Sequence, residues 1–181
     1  MALVNTFDKF WKVRNPNGGA PTIRDYPVTA NTTIEAGDLV ILTSGKVDVG
    51  MAANATANGA NAAYNNTNFI GVAMQGITMG ATEETTTLRS TVPVALLNDN
   101  CEVAYRLWAA SGADAEQADV SLGAVYEPIR WTSNPNTITW YAVTPVTTKG
   151  CMILKEKSPD SASGDDYGIG WFSLLPSRRQ G

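Results

Sequence analysis

The most regular pattern of apolar and polar positions lies between residues 33 and 77. An apolar run at residues 39–42 is followed by Ser44-Gly45, and then Val47 and Val49 alternate with polar neighbours. Two short runs around a Ser-Gly pair predict a β-hairpin. Gly37-Asp38, directly before the first run, predicts the turn that starts it.

A third strand is predicted at residues 69–77, with Gly71 and Gly76 as positions of a bulge or a close backbone approach. Residues 52–68 are almost all Ala, Asn, Thr and Gly, which predicts a long loop carried by the strands. Together these elements predict a small β-barrel core with one long excursion.

Further short runs with turn signals between them continue to the end of the chain. We predict strands at residues 91–97, 101–108, 120–129, 137–143, 150–154 and 169–175. The strand at 101–108 is expected to be the hairpin partner of 91–97. Pro128 predicts that 120–129 is an edge strand or ends there. The chain is therefore predicted to be all-β, as a small barrel or a sandwich with long loops.

The N-terminal segment has a different pattern. Large apolar residues fall at helical spacing, at Leu3, Phe7, Phe10 and Trp11. This spacing predicts a short amphipathic helix or an extended arm, ended by the Asn, Pro and Gly residues at 15–19. We assign residues 1–27 to an N-terminal arm and residues 28–181 to the β-domain.

Two roles are open for this segment: a cap on the protein's own core, or an arm that docks on a partner. The Gly- and Pro-containing linker that follows favours the arm. Its predicted partner-binding residues are Phe7, Phe10 and Trp11, which supply apolar anchors, and Lys12 and Arg14, which supply positive charge.

Composition bounds the protein's class. The chain has 181 residues, 44% of them hydrophobic, enough for one folded domain. A net charge of −4 argues against general nucleic-acid binding. The chain has neither a run long enough for a membrane helix nor a signal-peptide pattern, so we expect synthesis in a cytosol. Only 17% of residues are charged, a surface that suits packing in an assembly.

Residues able to perform chemistry are few. The sequence has no histidine, and therefore no histidine-based triad, general base or metal ligand. Asp160, Asp165 and Asp166 share a loop but lack the spacing of a calcium-binding loop. Glu83-Glu84 could belong to a glycosidase carboxylate pair only if a second carboxylate stood at the right distance. We therefore expect no metal and no cofactor.

Two cysteines and one further similarity complete the candidate chemistry. Cys101 and Cys151 are expected to be buried thiols, with a disulfide between them left open.

The stretch at residues 34–42 is similar to the β-rich core of signal-peptidase-like serine proteases, which use a Ser–Lys pair. No serine motif precedes it, and Lys46 fits a solvated hairpin position, so we expect no enzymatic activity.

The order of several short pieces resembles the decoration, or cement, proteins of tailed-phage capsids. The pieces are the Ala-Gly-Asp-Leu-Val of residues 36–40, the Gly-Lys-Val of 45–47, the Gly-Val-Ala of 71–73 and the strand-like stretch at 120–129. A small-residue loop separates the second piece from the third, and a variable arm precedes them all. The resemblance spans roughly residues 33–175, and the long 52–68 loop and the aromatic N-terminus depart from shorter members.

The resemblance implies an all-β domain, either a β-barrel or β-tulip-like, and a non-enzymatic bacteriophage protein on the capsid exterior. It also implies a homotrimer that contacts the major capsid protein and stabilises the virion without nucleic acid, membrane or cofactor. The alternative is a carbohydrate- or receptor-binding module of a virion fibre that uses exposed aromatic residues such as Trp131 and Trp140.

Overall fold

The structure is a computed structural model that describes residues 12–49, 55–56, 69–81, 90–97, 101–108, 121–132, 138–143, 152–157 and 169–175. All regular secondary structure within these ranges is β, which confirms the predicted all-β class. Among the described residues no helix is long and apolar enough to cross a membrane.

The described strands, in chain order, are β1 (Lys12–Arg14), β2 (Ile23–Pro27), β3 (Thr33–Ile34), β4 (Leu39–Thr43), β5 (Lys46–Val49), β6 (Ala55–Thr56), β7 (Phe69–Ala73), β8 (Ile77–Thr78), β9 (Thr91–Leu96), β10 (Glu102–Trp108), β11 (Val125–Thr132), β12 (Ile138–Val143), β13 (Met152–Lys157) and β14 (Ile169–Leu174). They form three sheets. The large sheet has the order β1-β10-β12-β11-β13-β14, with β6 beside β11 and a further pairing of β10 with β14. The small sheet has the order β2-β9-β7-β4-β5, and β3 pairs with β8 alone.

The predicted hairpin is confirmed in the small sheet. β4 and β5 pair antiparallel, with Thr43 opposite Lys46. The two residues between them, Ser44 and Gly45, have φ values of 52° and 79°. Positive φ at both central positions is the two-residue turn whose twist matches that of paired strands. The local sequence therefore sets both the turn and the register.

Gly71 is a point of close backbone approach, as its sequence context predicts. A Cβ on this residue would lie 2.1 Å from the carbonyl oxygen of Ala95 on β9. The register of β4 against β7 also shifts here, between Val40 and Ile41. The predicted strand at 69–77 is divided into β7 and β8, and β8 leaves the small sheet to pair with β3.

The hairpin predicted between residues 91–97 and 101–108 is wrong. β9 lies in the small sheet between β2 and β7, whereas β10 lies in the large sheet. The chain therefore passes from the small sheet to the large sheet between Leu97 and Cys101. Both strands that pair with β9, β2 and β7, are separated from it in the chain. The local sequence therefore does not predict which strands pair with β9.

The prediction that residues 120–129 form an edge strand, or a strand that ends at Pro128, is also wrong, since β11 runs from Val125 to Thr132. β11 is an interior strand that pairs with β12 on one side and with β13 and β6 on the other. Among the described strands, Pro128 pairs with Ala142 of β12 alone, because it falls between the part of β11 facing β13 and the part facing β6. A residue without an N–H is thus accommodated at a gap in the ladder.

The main core lies between the two larger sheets. It is built from side chains of both: Leu39, Ile41, Phe69 and Val72 from the small sheet, and Val103, Tyr105, Tyr126, Met152, Leu154, Phe172 and Leu174 from the large one. Each such side chain contributes roughly 1.5–3 kcal/mol by leaving water. A core shared by two facing sheets is the sandwich arrangement.

A second core cluster occupies the other face of the small sheet. It includes Val28, Ile34, Val40, Val47 and Val94, all buried. A single parallel bridge between Val28 and Val47 brings the segment after β2 against β5, the opposite edge strand. The small sheet is therefore curled around this cluster.

Candidate partner-binding site

The structure describes two of the five predicted partner-binding residues. Lys12 and Arg14 are the ends of β1, which pairs antiparallel with β10 so that Lys12 faces Ala104 and Arg14 faces Glu102. Phe7, Phe10 and Trp11 lie outside the described residues. Within the segment assigned to the arm, residues 12–14 and 23–27 are therefore strands of the two larger sheets.

Arg14 is held by two acidic side chains that come from distant strands. Its Nε and Nη2 atoms donate hydrogen bonds to Oε2 of Glu102, at 3.0 and 2.7 Å. Nη2 also donates to Glu156 on β13. The guanidinium carbon lies 4.1 Å from the ring centroid of Trp171 on β14, a cation–π distance. We call these four residues the Arg14 clasp.

The ion pair between Arg14 and Glu102 is important because Glu102 is buried. Glu102 is only 5% exposed, so its carboxylate has lost most of its water and needs the cation that faces it. Burial acts to lower the pKa of Arg14, but hydrogen bonds to Glu102 and Glu156 outweigh it and leave the pKa raised. The guanidinium is therefore charged at neutral pH.

The Trp171 ring of the clasp also belongs to an apolar patch on the face of the large sheet opposite the main core. Ala104, Ile169 and Trp171 form a buried cluster there, separate from the main core. Because β1 is only three residues long, its ladder alone holds it weakly. The ion pairs and the Trp171 contact fix it in register.

This anchoring sets where the predicted arm leaves the domain. Trp11 directly precedes Lys12, and Phe7 can be at most about 18 Å from Lys12 along an extended chain. On the other side of β1 the chain turns at once, since Gly18 N donates to the carbonyl oxygen of Asn15 at 3.0 Å. The N-terminal residues must therefore start from the edge of the large sheet beside β10.

The sequence predicts that Arg14 binds a partner protein, whereas the structure shows it bound to acidic side chains of its own chain. Glu102 and Glu156 are 88 and 142 positions away along the chain. No spacing rule along the chain joins residues so far apart. The one local signal was the alternation of Lys12, Val13 and Arg14, in which Val13 packs against the main core.

A second polar feature joins the two larger sheets at the predicted turn before β4. Oδ2 of buried Asp38 accepts a hydrogen bond from the Glu35 N–H at 2.8 Å, which closes the turn. Gly37 has a φ of 91°, a conformation that favours glycine. The Tyr105 hydroxyl, on the large sheet, donates to the Gly37 carbonyl oxygen at 2.9 Å.

The turn also holds β7. Gly37 N donates to the carbonyl oxygen of Ala73 at 2.7 Å, and Ala73 N donates to that of Asp38 at 2.9 Å. Residues 36–40 and 71–73 are thus one hydrogen-bonded unit. The predicted loop between them, at residues 52–68, is not entirely loop, because Ala55–Thr56 forms β6 beside β11. The β4–β5 hairpin adds residues 45–47 to the same unit.

Cys101 is a free, buried cysteine, as expected. Burial, with a smaller contribution from the charge of Glu102, raises the pKa of its thiol to about 11. The thiol is therefore protonated and unreactive at neutral pH. Cys151 lies outside the described residues.

The predicted acidic loop containing Asp160, Asp165 and Asp166 also lies outside the described ranges, as does Glu83-Glu84. Within those ranges no three His, Cys, Asp or Glu side chains are grouped as metal ligands. Trp131 and Trp140 lie in β11 and β12.

Comparison with known proteins found no matching family model, no matching curated protein and no matching solved structure.

Proposed function

We propose that this chain is a non-enzymatic structural protein of a tailed-phage virion that binds the capsid exterior and stabilises contacts between major capsid protein subunits. The observation that carries the proposal is the unit formed by residues 36–40, 45–47 and 71–73. These are three of the pieces that resemble capsid decoration proteins, and they lie on adjacent strands joined by backbone hydrogen bonds. A resemblance made of short pieces gains weight when the pieces form one structural unit.

The Arg14 clasp supports two different roles for two parts of the N-terminal segment. Arg14 positions β1 against the large sheet, and the residues before it reach the capsid. Phe7, Phe10 and Trp11 are the apolar anchors, and Lys12, which is exposed, places a positive charge at the start of the arm. Interface anchors are typically large aromatic side chains of this kind.

Assembly as a homotrimer multiplies these contacts. Closed symmetry is the usual state of homo-oligomers. The three arms of one trimer bind with an avidity far above that of one arm, because the second and third attachments are intramolecular. Individually modest contacts can then hold neighbouring capsid subunits together.

The test is the copy number of the chain in purified particles from its own source, measured by quantitative mass spectrometry against the most abundant shell protein. We expect a fixed ratio set by the capsid lattice. A copy number matching that of fibres would favour the carbohydrate- or receptor-binding alternative, and absence from particles would reject a virion role altogether.

A further inference from the structure

A groove opens in the small sheet at the point where β7 turns away from β9. Met74 N donates to the carbonyl oxygen of Pro93 at 2.8 Å, so the N and O atoms of Pro93 face β7. Proline has no N–H to continue the ladder on that side. The last register pair is Ala73 with Val94, after which the chain passes through Gln75 to β8, which pairs with β3.

The resulting groove has a volume of about 440 Å³. Its walls include Asp25 from β2, Thr91 and Pro93 from β9, and Gln75 and Ile77 from the turn into β8. Asp25 is paired with Pro93 in the β2–β9 ladder, which places its exposed side chain beside the groove floor. The volume falls within the range of small-molecule sites.

Of the β9 residues beside the groove, one directs its backbone N–H and C=O into it. Val28 N bonds to the Ser90 carbonyl oxygen, and Val92 pairs with Tyr26, so Ser90 and Val92 direct their polar groups toward β2. Alternation then directs the N–H and C=O of Thr91 to the opposite side. A single residue is too short an edge for an added peptide strand, and the groove therefore favours a compact ligand.

The side chains restrict the chemistry of that ligand. The Asp25 carboxylate accepts hydrogen bonds, while the Gln75 amide and the Thr91 hydroxyl both donate and accept. None of the described residues that line the groove is Lys or Arg, so an anionic ligand gains no ion pair there. Pro93 and Ile77 add apolar surface beside these polar groups.

We propose that this groove binds a neutral sugar residue, with vicinal hydroxyls donating to Asp25 and exchanging hydrogen bonds with Gln75 and Thr91, and with the C–H face of the ring on Pro93 and Ile77. Without an aromatic platform among the described lining residues, the affinity is expected in the millimolar range. The groove lies on the small sheet, whereas the Arg14 clasp lies on the large one. This inference goes beyond capsid attachment and does not depend on it.

The test is a titration of the full-length, ¹⁵N-labelled protein with the methyl glycosides of glucose, galactose, mannose and N-acetylglucosamine. We expect at least one of them to shift the backbone amides of Gln75, Ile77 and Thr91 in a saturable way. Asp25→Asn should weaken that binding by about tenfold or more, because a charged acceptor is lost while the side-chain shape is kept. Gln75→Ala should weaken it as well.

Lys155→Gln is the matched control, since Lys155 is an exposed residue on β13 of the large sheet. It should bind like the unaltered protein. The proposal is overturned if none of the four glycosides shifts the groove amides, or if Asp25→Asn retains its native spectrum and binds with unchanged affinity. A shift produced by Nα-acetyl-lysine methylamide when no glycoside gives one would reassign the groove to a basic side chain, and would equally overturn it.

Discussion

Single residues carry the specificity of this fold at a few positions where polar groups are buried. Glu102 and Asp38 are both carboxylates inside the protein, and each has a defined partner: a guanidinium for Glu102 and a backbone N–H for Asp38. Removing such a partner leaves a desolvated charge, which costs more than the lost bond.

Arg14→Gln should therefore lower the free energy of unfolding by about 1–3 kcal/mol, a range reduced from that of fully buried pairs because the Arg14 side chain is 29% exposed. Urea denaturation measures the change. The double variant Arg14→Gln/Glu102→Gln should recover part of the loss, since it removes the unpaired charge. If Arg14→Gln proves as stable as Lys155→Gln, the clasp does not hold β1.

At Cys101, the raised thiol pKa of about 11 predicts slow alkylation in the native state. Burial keeps the thiol protonated, so it is neutral at pH 8, and the thiolate forms only as the pH approaches 11. Iodoacetamide labelling followed by peptide mapping should show Cys101 modified in denaturant but not in buffer at pH 8. Equal labelling in both would place the thiol at the surface.

At the scale of elements, the sequence predicts what is local and fails where pairing is distant. The β4–β5 hairpin follows from Ser44-Gly45 because both strands and the turn are adjacent in the chain. The predicted β9–β10 hairpin is wrong because β2 and β7, which are not adjacent to β9 in the chain, pair with its two edges. The clasp cannot be predicted from local sequence for the same reason, since its members come from four separate strands.

Gly71 tests how β7 and β9 approach each other. Gly71→Ala forces a Cβ to within 2.1 Å of a backbone oxygen, so the strands must separate, and we expect a loss of roughly 3 kcal/mol or more. Gly45→Ala is the control, because it has open space and meets only the cost of a positive φ, about 1 kcal/mol. Thermal unfolding compares the two. A smaller effect at Gly71 than at Gly45 would contradict the close approach.

The structure also divides the N-terminal segment into two parts that deletion can separate. Removal of residues 1–11 keeps β1 and the clasp, so the melting temperature should be nearly unchanged. Removal of residues 1–14 takes Arg14 from Glu102 and should lower it clearly, by several degrees for a loss of this size. Equal melting temperatures for the two deletions would mean that β1 contributes nothing to the domain.

For the molecule as a whole, the proposed capsid role requires that the chain act as one of several copies. We predict a homotrimer in solution or on the particle, and native mass spectrometry with particle imaging measures it. A monomer in both settings would contradict the assembly on which the avidity argument rests.

In the proposed function, the residues before Lys12 attach a folded domain to a capsid. The most direct test of this attachment is the occupancy of purified particles by the full-length chain, by the chain lacking residues 1–11 and by Trp11→Ala, all at matched concentration of folded protein. We predict high occupancy for the first and strongly reduced occupancy for the other two, with melting temperatures that differ little. Unchanged occupancy of particles by the chain lacking residues 1–11 would show that these residues do not attach the domain.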